Sequence, residues 1–423
     1  MAIHTERTGM DGDPTTVRAT NPEVRTSETI PPTERKRNLM KMNLGPQHPS
    51  THGVLRLELE LDGETVVTCN PIIGYLHTGI EKTFEVKTYL HGLTLTDRMD
   101  YLNPLGCNLA YCLAIEKLFE CEIPERATVA RVLLAELTRI NSHLVWLGTG
   151  GLDLGATSIM MYCFREREKL LDLFEWMSGA RMMTSFIRPG GLADDLEPAL
   201  LVAIGEFLDD LPARIDEYED LLTENPLFKE RLIGIGVLNG DDAITLGVSG
   251  PILRASGVPH DLRKSNPYIG YETYDFDAIV GQNGDCYDRY KVRIAEMRES
   301  IKICKQALAR MPGGPVKTAN RKVMPPPREE LGVSMEALIH HFKLFTEGIK
   351  PPAGEVYFPV ESPRGELGFY IVSDGSGQPA RVHYRGPSYA NLQVISRMAE
   401  GGQLADLIVI IASIDPVLGD VDR

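Results

Sequence analysis

The chain has 423 residues, of which 43% are hydrophobic and 24% charged, and it carries a formal net charge of −15. These values are ordinary for a globular protein with a sizeable core, and so negative a surface disfavours binding to nucleic acid or anionic lipid. No run of about 18 apolar residues occurs, so the sequence predicts no membrane-spanning helix. The chain also begins without an apolar signal core, and we expect a cytoplasmic protein that meets a membrane only through partners.

The cysteines are scattered along the chain. No Cys-x-x-Cys pair occurs, which argues against a disulfide framework and indicates a reducing compartment. It also argues against an iron–sulfur or zinc site built by this chain alone. The seven are Cys69, Cys107, Cys112, Cys121, Cys163, Cys286 and Cys304.

Residues 1–40 are rich in Thr, Glu, Arg and Pro. Such a segment buries too little apolar surface to offset the entropy of ordering, so we predict a flexible tail. Residues 41–423 then form a single domain, with order beginning near Met42.

The first ordered element is a predicted β-hairpin. Polar and apolar residues alternate strictly over residues 55–61, as in a half-buried strand. Asp62 and Gly63 form the turn, and residues 65–68 form the return strand.

Helical periodicity dominates the centre of the chain. It predicts a helix that Gly148 ends, and Asp194 with Glu197 resembles a capping pair before another apolar stretch. Near the end, Asp374–Gly377 is flanked by two strands, which favours a hairpin over a phosphate-binding loop because no helix follows the glycines. The predicted helices cover residues 127–147, 158–177, 287–311, 334–346, 391–399 and 403–412. The expected fold class is α+β, with a mainly helical core and small antiparallel sheets near both termini.

Four segments carry chemically useful residues. Gly45–Gly53 holds His48 and His52 in a turn-rich loop, where a histidine can donate a hydrogen bond and exchange a proton. Composition alone favours a structural role, in which the histidine satisfies backbone groups.

The second segment brings together the polar residues Arg98, Asp100 and Tyr101. The alternative is an ordinary salt bridge with a tyrosine beside it. The third places Asp153 among four glycines, where a turn aspartate is the alternative. The fourth, residues 415–423, is acidic and could equally be a frayed terminus.

Together these segments resemble one family, the quinone-site subunits of the 49 kDa type in complex I, the proton-pumping NADH:quinone oxidoreductase. The resemblance runs from about Met42 to Arg423. It is carried by the segments GPQHPSTHGVLRL, YLHTGIEKTFE, DRMDYL, LGTGGLDLGA, SGARMM, IRPGG, GYETYDFD, MRESIKICKQAL, GELGFYIVSDG and IIASIDPVLGDVDR.

This family is related to the large subunits of nickel–iron hydrogenases, which implies a hydrogenase-large-subunit-like fold. Those enzymes hold their metals with four cysteines in two motifs. Here Asp100, Asn103, Val417 and Asp420 stand at the four positions. Nickel and low-valent iron need thiolate ligands, so we expect no metal here. The resemblance implies that the cavity receives a quinone instead.

The resemblance also implies roles for individual residues. His52 and Tyr101 would bind the quinone carbonyl oxygens, and Asp153 would partner His52. Imidazole and phenol can each donate a hydrogen bond and then a proton to a quinone oxygen. Arg98 would lie near the terminal 4Fe-4S cluster and raise its potential, with a salt bridge to Asp97 or Asp100 as the alternative.

The implied partners are other members of complex I. They are the small iron–sulfur subunit, which holds the cluster, a peripheral-arm partner of the C type, and a membrane subunit that shares the quinone tunnel. NAD and FMN would bind elsewhere in the complex, and this chain would bind no cofactor itself. The implied location is the cytoplasmic side of the bacterial cell membrane.

Alternatives of different kinds remain at this point. The same quinone module occurs in assemblies with ferredoxin-type electron input, and a hydrogenase-type metalloenzyme or a scaffold with a decayed site are further possibilities.

Two departures from the family pattern are Thr78, where mitochondrial members have arginine, and Met183, where many members have histidine. Without that histidine, we expect the cluster potential to vary less with pH.

Overall fold

The computed structural model describes residues 39–46 and 53–423. The predicted tail therefore lies outside the described residues, apart from its last two positions. The first described strand is Met40–Leu44.

Helices form most of the described chain. None of them, in the part of the chain that the structure describes, is both long and apolar enough to cross a membrane. They are α1 (Ile80–Phe84), α2 (Tyr89–Thr96), α3 (Pro104–Phe119), α4 (Glu125–Asp153), α5 (Thr157–Ser178), α6 (Pro198–Leu222), α7 (Pro226–Leu232), α8 (Gly240–Thr245), α9 (Pro251–Ala255), α10 (Leu262–Ser265), α11 (Cys286–Ala309), α12 (Met335–Glu347), α13 (Pro387–Leu392), α14 (Val394–Ala399), α15 (Leu404–Ile414) and α16 (Leu418–Asp422). The long helix α4 packs against both α5 and α11.

Three small antiparallel sheets accompany the helices. Strands β1 (Met40–Leu44), β2 (Arg56–Asp62) and β3 (Thr65–Ile72) form one sheet, and the two-residue strands β4 (Ile187–Arg188) and β5 (Gly191–Leu192) form another. The third consists of β6 (Gly354–Ser362), β7 (Gly365–Ser373) and β8 (Arg381–Arg385). The α+β class, with sheets near both ends, is confirmed.

Most of the elements predicted from the pattern are present. Alternation in β2 buries Leu57, Leu59 and Leu61, as a half-buried strand requires. The hairpin near the end pairs Val372 with Arg381. Strand β6 was not predicted, because its residues lack a clean alternation of polar and apolar side chains.

The predicted end of the central helix at Gly148 is wrong, because α4 continues to Asp153. Its glycines serve packing rather than termination. A β-carbon on Gly151 would lie 2.1 Å from Ile159 Cγ2 of α5, whereas one on Gly150 would meet nothing within 4 Å. Gly151 therefore lets the two long helices approach closely.

The predicted capping pair at the start of α6 is also wrong. Glu197 occupies the N-cap position without a side-chain capping bond, and Pro198 begins the helix. Its carboxylate instead accepts a hydrogen bond from the Trp176 indole at 3.2 Å.

An aromatic cluster joins α3 to the last sheet. The ring centroids of Tyr111 and Phe369 lie 5.3 Å apart, and those of Phe369 and Tyr384 lie 5.1 Å apart, both within the range of favourable aromatic contacts. Tyr111 and Tyr384 are fully buried. This packing fixes β7 and β8 against α3, which begins directly after the segment where the candidate site lies.

Candidate functional site

The centre of the site is the buried guanidinium of Arg364, in the tight turn between β6 and β7. Its Nη1 donates to the two carboxylate oxygens of Asp100 at 3.0 and 3.2 Å. Its Nε donates to the Asp415 backbone oxygen at 3.0 Å. Nη2 lies 3.0 Å from Asp415 Oδ2, an ion pair rather than an aligned hydrogen bond. Arg364 thus ties the segment after α2 to the segment after α15.

A third buried carboxylate, Asp420 on α16, faces the same cluster. Tyr384 donates its hydroxyl hydrogen to Asp420 Oδ1, and the Ser388 backbone N–H donates to Oδ2 at 2.6 Å. A β-carbon on Gly386 would lie 2.3 Å from Oδ1, so the glycine admits this carboxylate. We call Asp100, Arg364, Asp415 and Asp420 the Arg364 cluster.

The Arg364 cluster holds three carboxyl groups around one guanidinium, and this imbalance affects their protonation. Burial raises the pKa of Asp100 to about 6, although Arg364 opposes the rise. Burial also raises the pKa of Asp420. The Asp100 carboxyl group therefore has a pKa closer to neutral than an ordinary aspartate has.

Tyr101 follows Asp100 and is half-buried against α16. A β-carbon on Gly419 would lie 3.3 Å from Tyr101 Cε1 and 2.6 Å from the Met99 backbone oxygen, so only glycine permits this contact. Burial raises the pKa of the Tyr101 phenol, Arg364 lowers it, and Asp100 and Asp415 raise it further. The phenol is a protonated donor at neutral pH.

His48 and His52 lie outside the described residues. The next residue along the chain, Gly53, is described. A β-carbon built on it would lie 3.3 Å from Leu418 Cδ1. Gly53 therefore packs on α16 next to Leu418. The following residue of that helix, Gly419, is the one that contacts Tyr101.

Asp153 is the last residue of α4 and is partly buried. It lies seven residues after Trp146 and so on about the same helix face. The Trp146 indole donates to the Ala412 backbone oxygen of α15 at 2.8 Å. The alternative of a turn aspartate is therefore wrong, because Asp153 ends a helix that packs on α15.

Arg98 is exposed on the segment after α2. Its Nη1 donates to the Thr94 backbone oxygen at 2.5 Å. Within the described residues, no ion pair joins Arg98 to Asp97 or Asp100. Asp97 accepts a hydrogen bond from the Asn108 amide at 2.7 Å, and Asp100 binds Arg364. The salt bridge offered as the alternative role of Arg98 is therefore wrong.

The last residues are held firmly. The carboxylate of Asp422 accepts hydrogen bonds from the backbone N–H groups of Gly74 and Leu76 at 2.8 and 2.6 Å. His77 Nδ1 lies 2.7 Å from the Asp422 backbone oxygen, and Arg423 pairs with Glu81 at 3.1 Å. The alternative of a frayed terminus is wrong, because this segment forms one wall of the site.

The four positions that carry cysteine in hydrogenases lie around this wall. Asp100, Asn103, Val417 and Asp420 are all buried. Two carboxylates, an amide and an aliphatic side chain offer no thiolate to a soft metal. Among the described residues, no group of three or more His, Cys, Asp or Glu side chains is arranged to hold a metal ion. The residues present do not fit a nickel–iron centre.

Sequence reasoning missed Arg364 and Tyr384. Arg364 sits in a Ser-Pro-Arg-Gly turn, and a turn arginine is ordinarily exposed, so its position gives no sign of burial. Tyr384 alternates with exposed residues in β8, which marks an inward position but not its hydroxyl partner. The unbalanced acids Asp100, Asp415 and Asp420 were the available signal that a buried cation must lie nearby.

Comparison with known proteins identifies the family. Residues 153–423 match the family described as "Respiratory-chain NADH dehydrogenase, 49 Kd subunit". An NADH-quinone oxidoreductase subunit of Chloroflexus aurantiacus is 62% identical over 387 residues, which cover 91% of this chain and 94% of that protein. Its counterpart in Thermus thermophilus is 56% identical over 396 residues, covering 93% of this chain and 97% of that protein. The counterpart in Acidothermus cellulolyticus is 54% identical over 408 residues, covering 92% and 93%.

The fold, the residues around Arg364 and these matches define a respiratory-chain oxidoreductase subunit. The chain belongs to the 49 kDa subunit family of complex I. Membership implies that other subunits of the complex are its partners.

Proposed function

We propose that this chain is the quinone-binding subunit in the peripheral arm of a proton-pumping NADH:quinone oxidoreductase, active only within the assembled complex. Electrons from NADH would pass through FMN and iron–sulfur clusters on other subunits to a membrane quinone. The relatives' names support the reaction, since each is an NADH-quinone oxidoreductase subunit.

The observation that carries this proposal is the environment of Tyr101. Reduction of a quinone to a quinol consumes two electrons and two protons, one at each carbonyl oxygen. The oxygen that gains charge needs a donor that can also release a proton. A half-buried phenol next to a guanidinium and an exchangeable carboxyl proton meets that need.

The second carbonyl oxygen would be served by His52, partnered by Asp153. A carboxylate beside a histidine fixes its tautomer and favours the imidazolium. Gly53 reaches α16 next to the Tyr101 contact, and the helix that ends at Asp153 packs on α15, which leads into the same C-terminal segment.

Electron delivery would come from a 4Fe-4S cluster held by the neighbouring small subunit. Exposed Arg98 offers a positive charge to such a cluster, which would raise its potential and favour electron arrival. A peripheral-arm partner of the C type and a membrane subunit would complete the assembly. The chain would lie on the cytoplasmic side of the bacterial cell membrane, with the quinone entering from the lipid phase.

The test is Tyr101→Phe in the native chain. Membranes are assayed for electron transfer from NADH to a short-chain quinone and from NADH to ferricyanide. Ferricyanide takes electrons upstream, so it reports whether the complex has assembled. We expect quinone reduction to fall by at least about a hundredfold, because a general acid contributes roughly that much or more, while ferricyanide reduction persists.

Tyr287→Phe is the matched control. Its hydroxyl donates to the Thr223 backbone oxygen at 3.0 Å, remote in sequence from the site, and both activities should persist. Quinone reduction at the wild-type rate in Tyr101→Phe would refute the proposal. Loss of both activities would make Tyr101 a residue of assembly, and the same two assays would then be applied to His52→Ala.

A further inference from the structure

The Arg364 cluster gathers more carboxyl groups than a simple buried ion pair does. Arg131, for example, is matched by Glu116, with Nη1 and Nη2 donating to the two carboxylate oxygens at 2.9 and 2.6 Å. Arg364 interacts with three carboxyl groups, those of Asp100, Asp415 and Asp420, and Arg293 on α11 also interacts with Asp415. A comparable group surrounds Arg254, which pairs with Asp261, Glu296 and Glu361. What distinguishes the Arg364 cluster is that one of its carboxylates, Asp100, directly precedes Tyr101 in the chain.

The cluster is linked to Tyr101 through a short stretch of backbone. Asp100 precedes Tyr101, and the Leu102 N–H donates to Asp100 Oδ1 at 3.2 Å. The Asn103 N–H also donates to the Asp100 backbone oxygen at 3.0 Å. The Asp100 carboxylate is therefore held by Arg364 on one side and by the Leu102 N–H on the other. These bonds fix the backbone at Asp100 and so the direction in which the Tyr101 side chain projects.

We propose that Arg364 and Asp100 are positioning residues for Tyr101, and that the charge state of Asp100 controls how readily the Tyr101 phenol gives its proton to the reduced quinone. The proposal rests on the proposed function, since it assumes that a quinone oxygen receives this proton. Arg364 and Asp100 act through Tyr101 and do not themselves touch the substrate.

The proton balance is simple. The Tyr101 O–H bond breaks as a new O–H bond forms on the quinone oxygen, whose charge comes from the electron delivered by the iron–sulfur cluster. The phenolate that remains is stabilised by Arg364 and opposed by an ionised Asp100. When Asp100 is protonated, the phenolate is less opposed and proton transfer is faster.

Other charged and titratable groups face this pair from every side. Those that interact with Asp100, Arg364 or Asp420 are Asp415 after α15, Asp420 on α16, Cys107 on α3, Tyr384 on β8 and Arg293 on α11. Burial raises the pKa of the Cys107 thiol and of the Tyr384 phenol well above their ordinary values, so both remain neutral. Asp420 has a raised pKa as well, but Tyr384 and Ser388 hydrogen-bond to its carboxylate. We assign the titration near pH 6 to Asp100, because burial raises its pKa to about 6.

The experiment measures kcat and KM for quinone reduction between pH 5 and 9 in membranes that carry the full complex. In the unaltered complex we expect kcat to show an inflection near the Asp100 pKa of about 6, with the higher rate on the acid side. Asp100→Asn keeps the shape of the side chain but removes its titratable group. The kcat inflection should therefore disappear, while KM changes little.

Arg364→Met removes the charge that holds the Asp100 pKa down, so its inflection should move to higher pH by about one unit or more. Its kcat should also fall by about tenfold or more, since the phenolate loses its nearest cation. Arg364→Lys restores the charge, and its inflection should return towards the unaltered position. Arg214→Met is the control, because this surface arginine on α6 pairs with Asp210 and leaves the site unchanged.

Ferricyanide reduction reports whether the Arg364→Met complex assembles. If it does not, the Asp100→Asn variant alone tests the positioning role. An inflection near pH 6 that persists in Asp100→Asn would overturn the proposal. Tyr101→Phe in the same series separates the two claims. If Tyr101→Phe retains quinone reduction, the proposed function at this site fails. If it loses quinone reduction while Asp100→Asn keeps the inflection, only the positioning role fails.

Discussion

The acidity of the Tyr101 phenol results from opposing charges at known positions. Burial and two neighbouring carboxylates raise its pKa, while the Arg364 guanidinium lowers it. This balance keeps the proton in place until a nearby oxygen gains negative charge, which is the behaviour a donor to a reduced quinone requires. In the proposed mechanism, residues that neither touch the quinone nor carry its proton therefore influence the reaction.

The residue types at the site could be predicted, but their partners could not. Tyr101, Asp153 and Arg98 were identified from the family resemblance, and the described chain shows where each lies. The sequence offered Arg98 as the salt-bridge partner of Asp100, whereas its actual partner, Arg364, lies 264 residues away. No local pattern relates two residues at that distance, because their contact depends on how β6, β7 and the C-terminal segment pack.

At the scale of elements, the close packing of α4 on α5 depends on Gly151. We predict that Gly151→Ala destabilises the chain by about 1–3 kcal/mol, because the new methyl group would overlap Ile159 and force the helices apart. The change would also displace Asp153, two residues further along α4. Thermal unfolding of the purified complex and its quinone reductase activity should both decline.

Gly150→Ala is the matched control, since its β-carbon would meet nothing within 4 Å. Alanine is the better helix former by about 1 kcal/mol, so this variant should be unchanged or more stable. Equal stability of the two alanine variants would contradict the packing role assigned to Gly151.

The long helices and the hairpins followed from periodicity, whereas the ends of elements did not. A glycine normally favours the end of a helix, so Gly148 gave the wrong end for α4. The deciding factor was tertiary, because α5 supplies a surface that needs small residues opposite it. Where a glycine packs against a neighbouring element, the end of its helix cannot be predicted from the local sequence alone.

At the scale of the whole molecule, a second buried ionic network holds the helical core together. Arg254 on α9 donates to Glu296 on α11 at 2.9 Å and to Glu361 on β6 at 2.8 Å. His143 on α4 lies 3.1 Å from Glu296, and Arg263 on α10 lies 3.1 Å from Glu136 on α4. Five separate elements are therefore joined through charges that water does not reach.

We predict that Arg254→Met destabilises the chain by about 3–5 kcal/mol, because two buried carboxylates would lose their cation. Arg298→Met is the comparison. Its guanidinium is partly exposed and pairs with Asp216 at 2.7 Å, so its loss should cost about 1 kcal/mol or less. Urea unfolding of the purified chain, followed by circular dichroism, measures both. Similar midpoints for the two variants would contradict the structural role of the network.

The central claim is that Tyr101 supplies a proton to the quinone, and the most direct measurement replaces this residue with 3,5-difluorotyrosine in the native chain. Fluorination lowers the phenol pKa and preserves the ring and hydroxyl, and the same replacement at Tyr287 is the control. We predict that quinone reduction is lost at a lower alkaline pH than in the unaltered complex, because the phenol ionises before it can donate, while ferricyanide reduction stays constant. An alkaline limit that does not move would contradict the account.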